Sequence, residues 1–254
     1  MDTILKEQAA RALALLDLTS LNDTDTEETV KTLCAKSHGE FGHTAAVCIW
    51  PRFVKLAKEK LKGTPVRVAT VVNFPHGGTD IEATVAETKQ AVADGADEID
   101  VVLPYKAFMD GDTASAKALL DATRKACAGK TMKVIIESGV LAHANTIAEA
   151  SRLSIACGAD FIKTSTGKTP VSATLEAANV MLEVIRESGK PVGFKASGGV
   201  RSTEQAADYM TLADKIMGPK WISLMTFRFG ASGLRDSLLA SMGYGQAPAD
   251  NKGY

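Results

Sequence analysis

The chain has 254 residues, of which 45% are hydrophobic and 23% are charged, and these proportions exclude a disordered or fibrous protein. Lysine and arginine number 29 against 30 acidic residues, so the net charge is −1 and predicts no nucleic-acid partner. No apolar run reaches the ~18 residues of a membrane span, and the N-terminus has no secretory pattern. The scattered cysteines Cys34, Cys48, Cys127 and Cys157 indicate reduced thiols and a cytoplasmic location.

Short β-branched runs alternate with longer helical segments along nearly the whole chain. We expect strands to begin near Leu15, Ala45, Val66, Glu98, Lys133, Phe161, Val192 and Leu224. Most of these starts are about 30 residues apart, which is the length of one βαβ unit. The pattern predicts one domain over residues 1–254, a single (β/α)8 TIM barrel with an N-terminal helical segment. Residues 243–254 are polar and glycine-rich, and we expect them to form a mobile C-terminal tail.

The predicted helices carry recognisable start and stop signals. Asp80 and Ser202 are expected to cap the helices that follow them, because their side-chain oxygens can accept from free backbone amides. Gly189 is expected to end another helix. In the segment Ile81–Ala93 an apolar face is expected to pack inward, which leaves Glu87 and its charged neighbours for solvent.

Several predicted strands carry charges at their centres, although parallel strands that are covered on both faces are usually apolar. Side chains alternate along a strand, so in each case the charged positions share one face and the apolar positions the other. If the apolar faces contact the outer helices, the barrel interior receives Asp100, Lys133, Glu137, Lys163 and Lys195. Such charges either neutralise one another as an interior network or carry out chemistry.

Lys163 and Lys195 lie on neighbouring strands of the predicted barrel, so their amines are expected to be close together. A lysine with an ordinary pKa of about 10.4 is almost entirely protonated at pH 7. A neighbouring cation and partial desolvation both lower that pKa and leave more of the amine neutral. The pair therefore predicts a nucleophilic lysine that forms a Schiff base with a carbonyl compound.

Glycine-rich segments follow the seventh and eighth predicted strands, as Ser197-Gly-Gly-Val-Arg201 and Gly230-Ala-Ser-Gly233. In barrels these loops and the start of a short helix often bind phosphate through backbone amides. Gly167 and Lys168, after the sixth strand, offer a further amide and a positive charge. We therefore expect a small phosphorylated substrate. The histidines and cysteines lack the spacing of metal ligands, so neither a metal nor a cofactor is expected.

Four segments together resemble the deoxyribose-phosphate aldolase family: Phe161-Ile-Lys-Thr-Ser-Thr-Gly-Lys168, Gly193-Phe-Lys-Ala-Ser-Gly-Gly-Val-Arg201, Asp97-Glu-Ile-Asp-Val-Val102 and Asn73-Phe-Pro-His-Gly77. The resemblance extends over nearly the whole chain. It implies a (β/α)8 fold and reversible, metal-independent cleavage of 2-deoxy-D-ribose 5-phosphate to D-glyceraldehyde 3-phosphate and acetaldehyde.

The resemblance also implies roles for individual residues. Lys163 resembles the Schiff-base lysine and Lys195 the lysine that perturbs it. Asp100 resembles a carboxylate of proton transfer, and Tyr254 a tail tyrosine used in proton exchange. The implied substrate contacts are Asp17, Thr19, Thr166, Gly167, Lys168, Gly198, Gly199, Arg201, Gly230 and Ser232.

The chain departs from the family pattern at two places. Gly233 stands where close relatives often have a second serine, and Ala196-Ser197 replaces a Pro-Ala pair. Other readings stay open, namely another Schiff-base aldolase, a phosphosugar isomerase on the same barrel, or a non-catalytic phosphosugar-binding protein. The last of these leaves the inward lysines unexplained. The sequence is compatible with a homo-oligomer and does not define its size.

Overall fold

Eight parallel strands close into a barrel in the computed structural model, which describes residues 3–245. They are β1 (Leu16–Thr19), β2 (Ala46–Ile49), β3 (Arg67–Val72), β4 (Glu98–Val102), β5 (Thr131–Ile135), β6 (Phe161–Lys163), β7 (Gly193–Ser197) and β8 (Phe227–Ala231). Each strand pairs with its neighbour in sequence, and β8 pairs with β1 to close the ring. The predicted (β/α)8 TIM barrel is therefore confirmed.

Helices surround the barrel, and the N-terminal helical segment is present as the first of them. They are α1 (Thr3–Ala14), α2 (Glu27–Lys36), α3 (Val54–Lys60), α4 (Ile81–Ala93), α5 (Tyr105–Met109), α6 (Thr113–Ala126), α7 (Ser138–Leu141), α8 (Ala144–Ala156), α9 (Leu175–Ser188), α10 (Thr203–Met217) and α11 (Leu234–Met242). A 3-10 turn at Pro51–Phe53 and a short antiparallel pair, His38–Gly39 with Gly42–His43, complete the secondary structure between residues 3 and 245. None of the helices in this range combines the length and apolar character that crossing a bilayer requires.

The predicted helix signals are present in the structure. Asp80 and Ser202 cap α4 and α10 by accepting from backbone amides, and Gly189 ends α9 in the left-handed conformation. Glu87 differs from the prediction, because it is half-buried and its carboxylate accepts the backbone amide of Asn73. Asn73 itself has a φ of 55°, so Glu87 supports a strained turn at the end of β3.

Apolar side chains pack on both faces of the strands. The main core lies between the barrel and the outer helices. A smaller cluster lies on the inner face of β2 and β3 and consists of Leu21, Ala46, Cys48, Ala69 and Val71. All four cysteines are buried thiols without a disulfide, as the sequence predicted.

The last strand begins at Phe227, and the predicted start near Leu224 is wrong. Leu224 lies in a turn in which the Ser223 amide donates to the Thr226 hydroxyl at 2.9 Å. The Leu224 carbonyl accepts from Arg228 Nε at 2.8 Å. The side chains of Thr226 and Arg228 thus bind backbone groups that a longer strand would have paired, so the strand starts later.

Candidate active site

Lys163 on β6 and Lys195 on β7 are direct partners in the parallel pairing, so both side chains enter the barrel at the same level. Lys163 Nζ is 3.0 Å and Lys195 Nζ 2.8 Å from the same oxygen, Oδ2 of Asp100. The exposed fraction is 1% for Lys163 and 0% for Lys195. The two amines are therefore neighbours on one buried carboxylate, as the sequence predicted.

Asp100 binds three ammonium groups at once, because its second oxygen is also occupied. Oδ1 accepts from Lys133 Nζ at 2.8 Å. The register of the sheet explains the contact, since Asp100 on β4 is the direct partner of Lys133 on β5. A carboxylate that accepts from three cations is stabilised in its charged form.

Arg228, the direct strand partner of Lys195, and two further carboxylates complete a buried network. Arg228 donates to Asp17 at 2.6 Å and to Glu98 at 2.9 Å. Lys195 Nζ lies 2.5 Å from Asp17, and Lys133 Nζ lies 2.5 Å from Glu98. Each carboxylate therefore bridges two or more cations, and the network joins side chains from β1, β4, β5, β7 and β8.

The network shifts the pKa values of the two lysines in opposite directions. Burial and the positive charge of Lys195 lower the pKa of Lys163. Burial also acts to lower the pKa of Lys195, but Asp100 and Asp17 outweigh it and raise this pKa well above the ordinary value. Asp100 is buried too, yet Lys133, Lys195 and Lys163 hold its pKa well below the usual range. Lys163 is thus the amine prepared to lose its proton.

Sequence reasoning missed Glu98 and Arg228, although the alternation that identified the other charges also applied to them. Glu98 lies two residues before Asp100 on β4 and therefore faces the same side. Arg228 alternates with Phe227 and Phe229, which the misplaced start of the last strand concealed. Both side chains are fully buried in the interior network.

Glu137 is buried and near enough to Lys163 for that charge to act on its pKa, but its hydrogen bonds go to the loop after β6 instead of to the interior network. The strand β5 ends at Ile135, and Glu137 has a left-handed backbone with a φ of 57°. Its carboxylate accepts from the Thr166 hydroxyl at 2.5 Å and from Thr169 at 3.2 Å. Burial raises the pKa of Glu137. Glu137 therefore holds the loop that follows β6 and Lys163.

The hydroxyl of Thr166 is engaged within that same loop. It donates to Glu137 and accepts from the backbone amide of Lys168 at 3.1 Å. The Lys168 ammonium donates to the carbonyl of Leu21 at 2.6 Å, across the mouth of the barrel. The structure therefore places Thr166 and Lys168 at the mouth, where the sequence expects the phosphate.

The glycines after β7 adopt the conformation that a tight loop requires. Gly198 and Gly199 have φ values of 74° and 83°, which favour glycine. A Cβ at Gly198 would lie 2.7 Å from the Ser172 hydroxyl and 3.3 Å from the Cα of Gly167, so the two loops touch. The Gly198 amide donates to the Gly230 carbonyl at 3.1 Å and is already used. These contacts bring three of the predicted phosphate segments together.

The remaining predicted residues lie around the same end of the barrel. Ser232 is half-buried just before α11, whose cap residue Gly233 has no side chain to satisfy the first amides. Arg201 is exposed at the start of the turn before α10. Thr19 ends β1, and its hydroxyl donates to the Asp17 carbonyl at 2.8 Å. Tyr254 lies outside the described residues.

Lys163 is the last residue of β6, and catalytic groups in these barrels lie at the carboxyl ends of the strands. A buried amine of lowered pKa, next to a carboxylate and a second ammonium, is equipped for nucleophilic attack on a carbonyl. The fold and the site together define a Schiff-base aldolase.

Comparison with known proteins agrees with this class. The family described as DeoC/LacD family aldolase matches residues 11–240. A deoxyribose-phosphate aldolase of Agrobacterium fabrum is 51% identical over 251 residues, which are 98% of this chain and 97% of that protein. The chain belongs to the DeoC/LacD family of aldolases, and the resemblance found in its motifs is confirmed.

Solved structures support the same fold. A Coccidioides immitis protein, provisionally described as a deoxyribose-phosphate aldolase, is 31% identical with a TM-score of 0.79, over 89% of this chain and 83% of that chain. A protein of Toxoplasma gondii ME49, described in the same way, is 25% identical with a TM-score of 0.86, over 97% and 100% of the two chains.

Proposed function

We propose that the protein is a class I aldolase that reversibly cleaves 2-deoxy-D-ribose 5-phosphate to D-glyceraldehyde 3-phosphate and acetaldehyde, with Lys163 as the Schiff-base residue. The observation that carries this proposal is the pair of buried amines, Lys163 and Lys195, on one oxygen of Asp100. The Agrobacterium fabrum relative supports the substrate, because it is named for this reaction and matches nearly the whole chain.

In the first step, the neutral amine of Lys163 attacks the aldehyde carbon of the open-chain sugar. The nitrogen loses its proton, the former carbonyl oxygen leaves as water, and an iminium forms. Dehydration consumes one proton, which Lys195 supplies from its place beside Asp100. Because its pKa is low, Asp100 stays ionised and keeps both ammonium groups oriented.

In the second step, the bond between C2 and C3 breaks and its electron pair moves toward the iminium nitrogen. The 3-hydroxyl proton returns to the Lys195–Asp100 pair, which restores the proton used for dehydration. D-glyceraldehyde 3-phosphate leaves, and an enamine of acetaldehyde stays on Lys163. The charged iminium acts as the electron sink that makes this cleavage feasible.

In the last step, the enamine takes a proton on its terminal carbon, and water hydrolyses the resulting iminium. This releases acetaldehyde and returns Lys163 to its amine form. The family resemblance assigns help with the carbon protonation to Tyr254.

The phosphate is proposed to bind at the loops after β6, β7 and β8 and at the start of α11. Backbone amides at Gly167, Gly199 and Ser232, with Lys168 and Arg201 nearby, would attract an anion there. Such an anchor holds the sugar with its aldehyde end toward Lys163, which converts attack into an intramolecular step. Asp17 and Thr19 are proposed to lie near the sugar hydroxyls. A cytoplasmic location and a homo-oligomer stay predictions.

Borohydride trapping tests the nucleophile. Acetaldehyde with borohydride should leave an ethyl group on Lys163, located by peptide mapping. The variant Lys163→Ala should lose both the label and the cleavage of deoxyribose 5-phosphate, because it removes the buried amine whose pKa is lowered. Lys117→Ala, on the outer surface of α6, should keep both.

Two results would contradict the proposal. A label that persists in Lys163→Ala would move the nucleophile to another lysine, with Lys195 tested next. Release of pyruvate or dihydroxyacetone phosphate from a matching sugar, with no acetaldehyde from deoxyribose 5-phosphate, would assign the barrel to another Schiff-base aldolase.

A further inference from the structure

Three buried serine hydroxyls have no hydrogen-bond partner within residues 3–245: Ser138, Ser165 and Ser197. Buried polar groups in native proteins are nearly always hydrogen-bonded, so each exception requires an explanation. Ser197 stands out because it lies between the proposed catalytic lysine pair and the proposed phosphate loop.

The position of Ser197 follows from the strand. It lies two residues after Lys195 on β7, so both side chains face the barrel interior and are roughly 7 Å apart along the strand. A Cβ at Gly230, its partner on β8, would be 2.6 Å from Ser197 Oγ and 2.9 Å from Lys195 Cε. The absence of a side chain at Gly230 therefore allows the Ser197 hydroxyl and the Lys195 side chain to lie directly against the backbone of β8. The phosphate-loop glycines Gly198 and Gly199 follow directly.

The backbone around Ser197 is held firmly although its hydroxyl is not. Its amide donates to Thr164 Oγ1 at 3.0 Å, and the same hydroxyl of Thr164 donates to the Ser197 carbonyl at 3.3 Å. The exposed fraction of Ser197 is 1%. The hydroxyl is thus dry and attached to a firmly held backbone, and a buried polar group of this kind discriminates between ligands that can and cannot hydrogen-bond to it.

We propose that Ser197 binds the 4-hydroxyl of the substrate and so selects hydroxylated aldehyde phosphates, a role that rests on the proposed function. Along the sugar, C1 is bound to Lys163, the 3-hydroxyl is at the Lys195–Asp100 pair and the phosphate is at the loops. On the sugar, the 4-hydroxyl lies between the 3-hydroxyl and the phosphate. On the protein, Ser197 lies between the Lys195–Asp100 pair and the phosphate loops. In the synthetic direction this group is the 2-hydroxyl of glyceraldehyde 3-phosphate.

The variant Ser197→Ala tests the proposal with two substrates, of which one has a 4-hydroxyl and the other does not. Cleavage of deoxyribose 5-phosphate should lose about tenfold in kcat/KM, as expected for one neutral hydrogen bond. Exchange of the acetaldehyde methyl protons with deuterated water should stay as in the wild type, because acetaldehyde has no 4-hydroxyl. Thermal stability should not fall, since the lost hydroxyl has no partner in the protein.

A substrate analogue and a second serine sharpen the test. With 2,4-dideoxypentose 5-phosphate, which lacks the 4-hydroxyl, wild type and Ser197→Ala should have equal kcat/KM. Ser138→Ala removes another unpartnered hydroxyl, in α7 beside the barrel, and should leave every rate unchanged.

Two outcomes would overturn the proposal for Ser197. One is an unchanged kcat/KM for deoxyribose 5-phosphate in Ser197→Ala. The other is a parallel loss of acetaldehyde exchange, which would mean that Ser197 acts on the lysines instead of the sugar. Failure of the wild type to exchange acetaldehyde protons would instead refute the proposed aldolase function itself.

Discussion

The interior of the barrel has two unlike halves. The strands β4 to β8 and β1 contribute a charged half, with four buried cations and three buried carboxylates: Lys133, Lys163, Lys195, Arg228, Asp17, Glu98 and Asp100. The strands β2 and β3 contribute an apolar half, with Ala46, Cys48, Ala69 and Val71 facing inward. The comparison teaches that the reactivity proposed for Lys163 depends on both halves. A dry apolar wall disfavours any charge, and the charged half decides which amine loses its proton.

Within the charged half, the number of carboxylate partners separates the two lysines. Between residues 3 and 245, Lys195 forms ion pairs with both Asp17 and Asp100, whereas Lys163 forms one with Asp100 alone. Lys163 must also share that oxygen with Lys195. The structure therefore concentrates negative charge around Lys195 and leaves Lys163 as the least stabilised cation, which agrees with the opposite directions of their pKa shifts.

The largest effect is expected from Lys195→Met, which removes the cation beside Lys163. Asp100 is then shared by fewer ammonium groups, so the pKa of Lys163 rises and less of its amine is neutral. Because activity grows as pH rises through this pKa, the acid limb of the pH–rate profile should move to higher pH. The rate of cleavage near pH 7 should fall by about 10³-fold.

The matched control for that variant is Lys195→Arg, which keeps a positive charge at the same position. Its acid limb should stay near that of the wild type, even where the bulkier group slows the reaction. If the acid limb did not move in Lys195→Met, the charge of Lys195 would not control the pKa of Lys163. The contrast drawn between the two lysines would then be wrong.

The sequence alone predicts the barrel, the inward face of its charged strands and the two reactive lysines. Alternation along a strand reveals which way Lys133 points, but not which group it meets. That contact depends on the register between β4 and β5, in which Lys133 pairs with Asp100. Local backbone geometry limits prediction further, since β5 ends at Ile135 and Glu137 adopts a left-handed conformation, to which strand alternation does not apply.

A smaller effect, on stability, is expected from Arg228→Met. This variant leaves Asp17 and Glu98 without their guanidinium partner in a buried site, and such a loss costs about 3–5 kcal/mol in the free energy of unfolding. Both carboxylates have lowered pKa values, so their stabilisation is present above the ordinary carboxyl pKa and is lost as pH falls through the folded values. The cost should therefore be largest near neutral pH and shrink in acid, as measured by urea unfolding at several pH values.

Arg152→Met is the control for that measurement, because Arg152 forms a surface ion pair with Glu187 at 3.5 Å. Exposed pairs contribute little, so the change should stay within about 1 kcal/mol at every pH. If Arg228→Met were as stable as the wild type near neutral pH, the ion pairs of Arg228 with Asp17 and Glu98 would not stabilise the charged half.

The smallest effect is expected in the apolar half, from Val71→Ala. Removing two methyl groups from a buried side chain should lower the free energy of unfolding by about 2 kcal/mol through lost contacts and a small cavity. Val71 is the strand partner of Asp100, but its side chain packs in an apolar cluster with Ala46 and Cys48. A cavity of two methyl groups in this cluster should stay dry and leave the acid limb of the pH–rate profile in place. Urea unfolding and the pH–rate profile of the same variant measure the two quantities. An acid limb displaced to higher pH would mean that water reaches Lys163 through this wall, and the apolar half would then control the charge of the lysine directly.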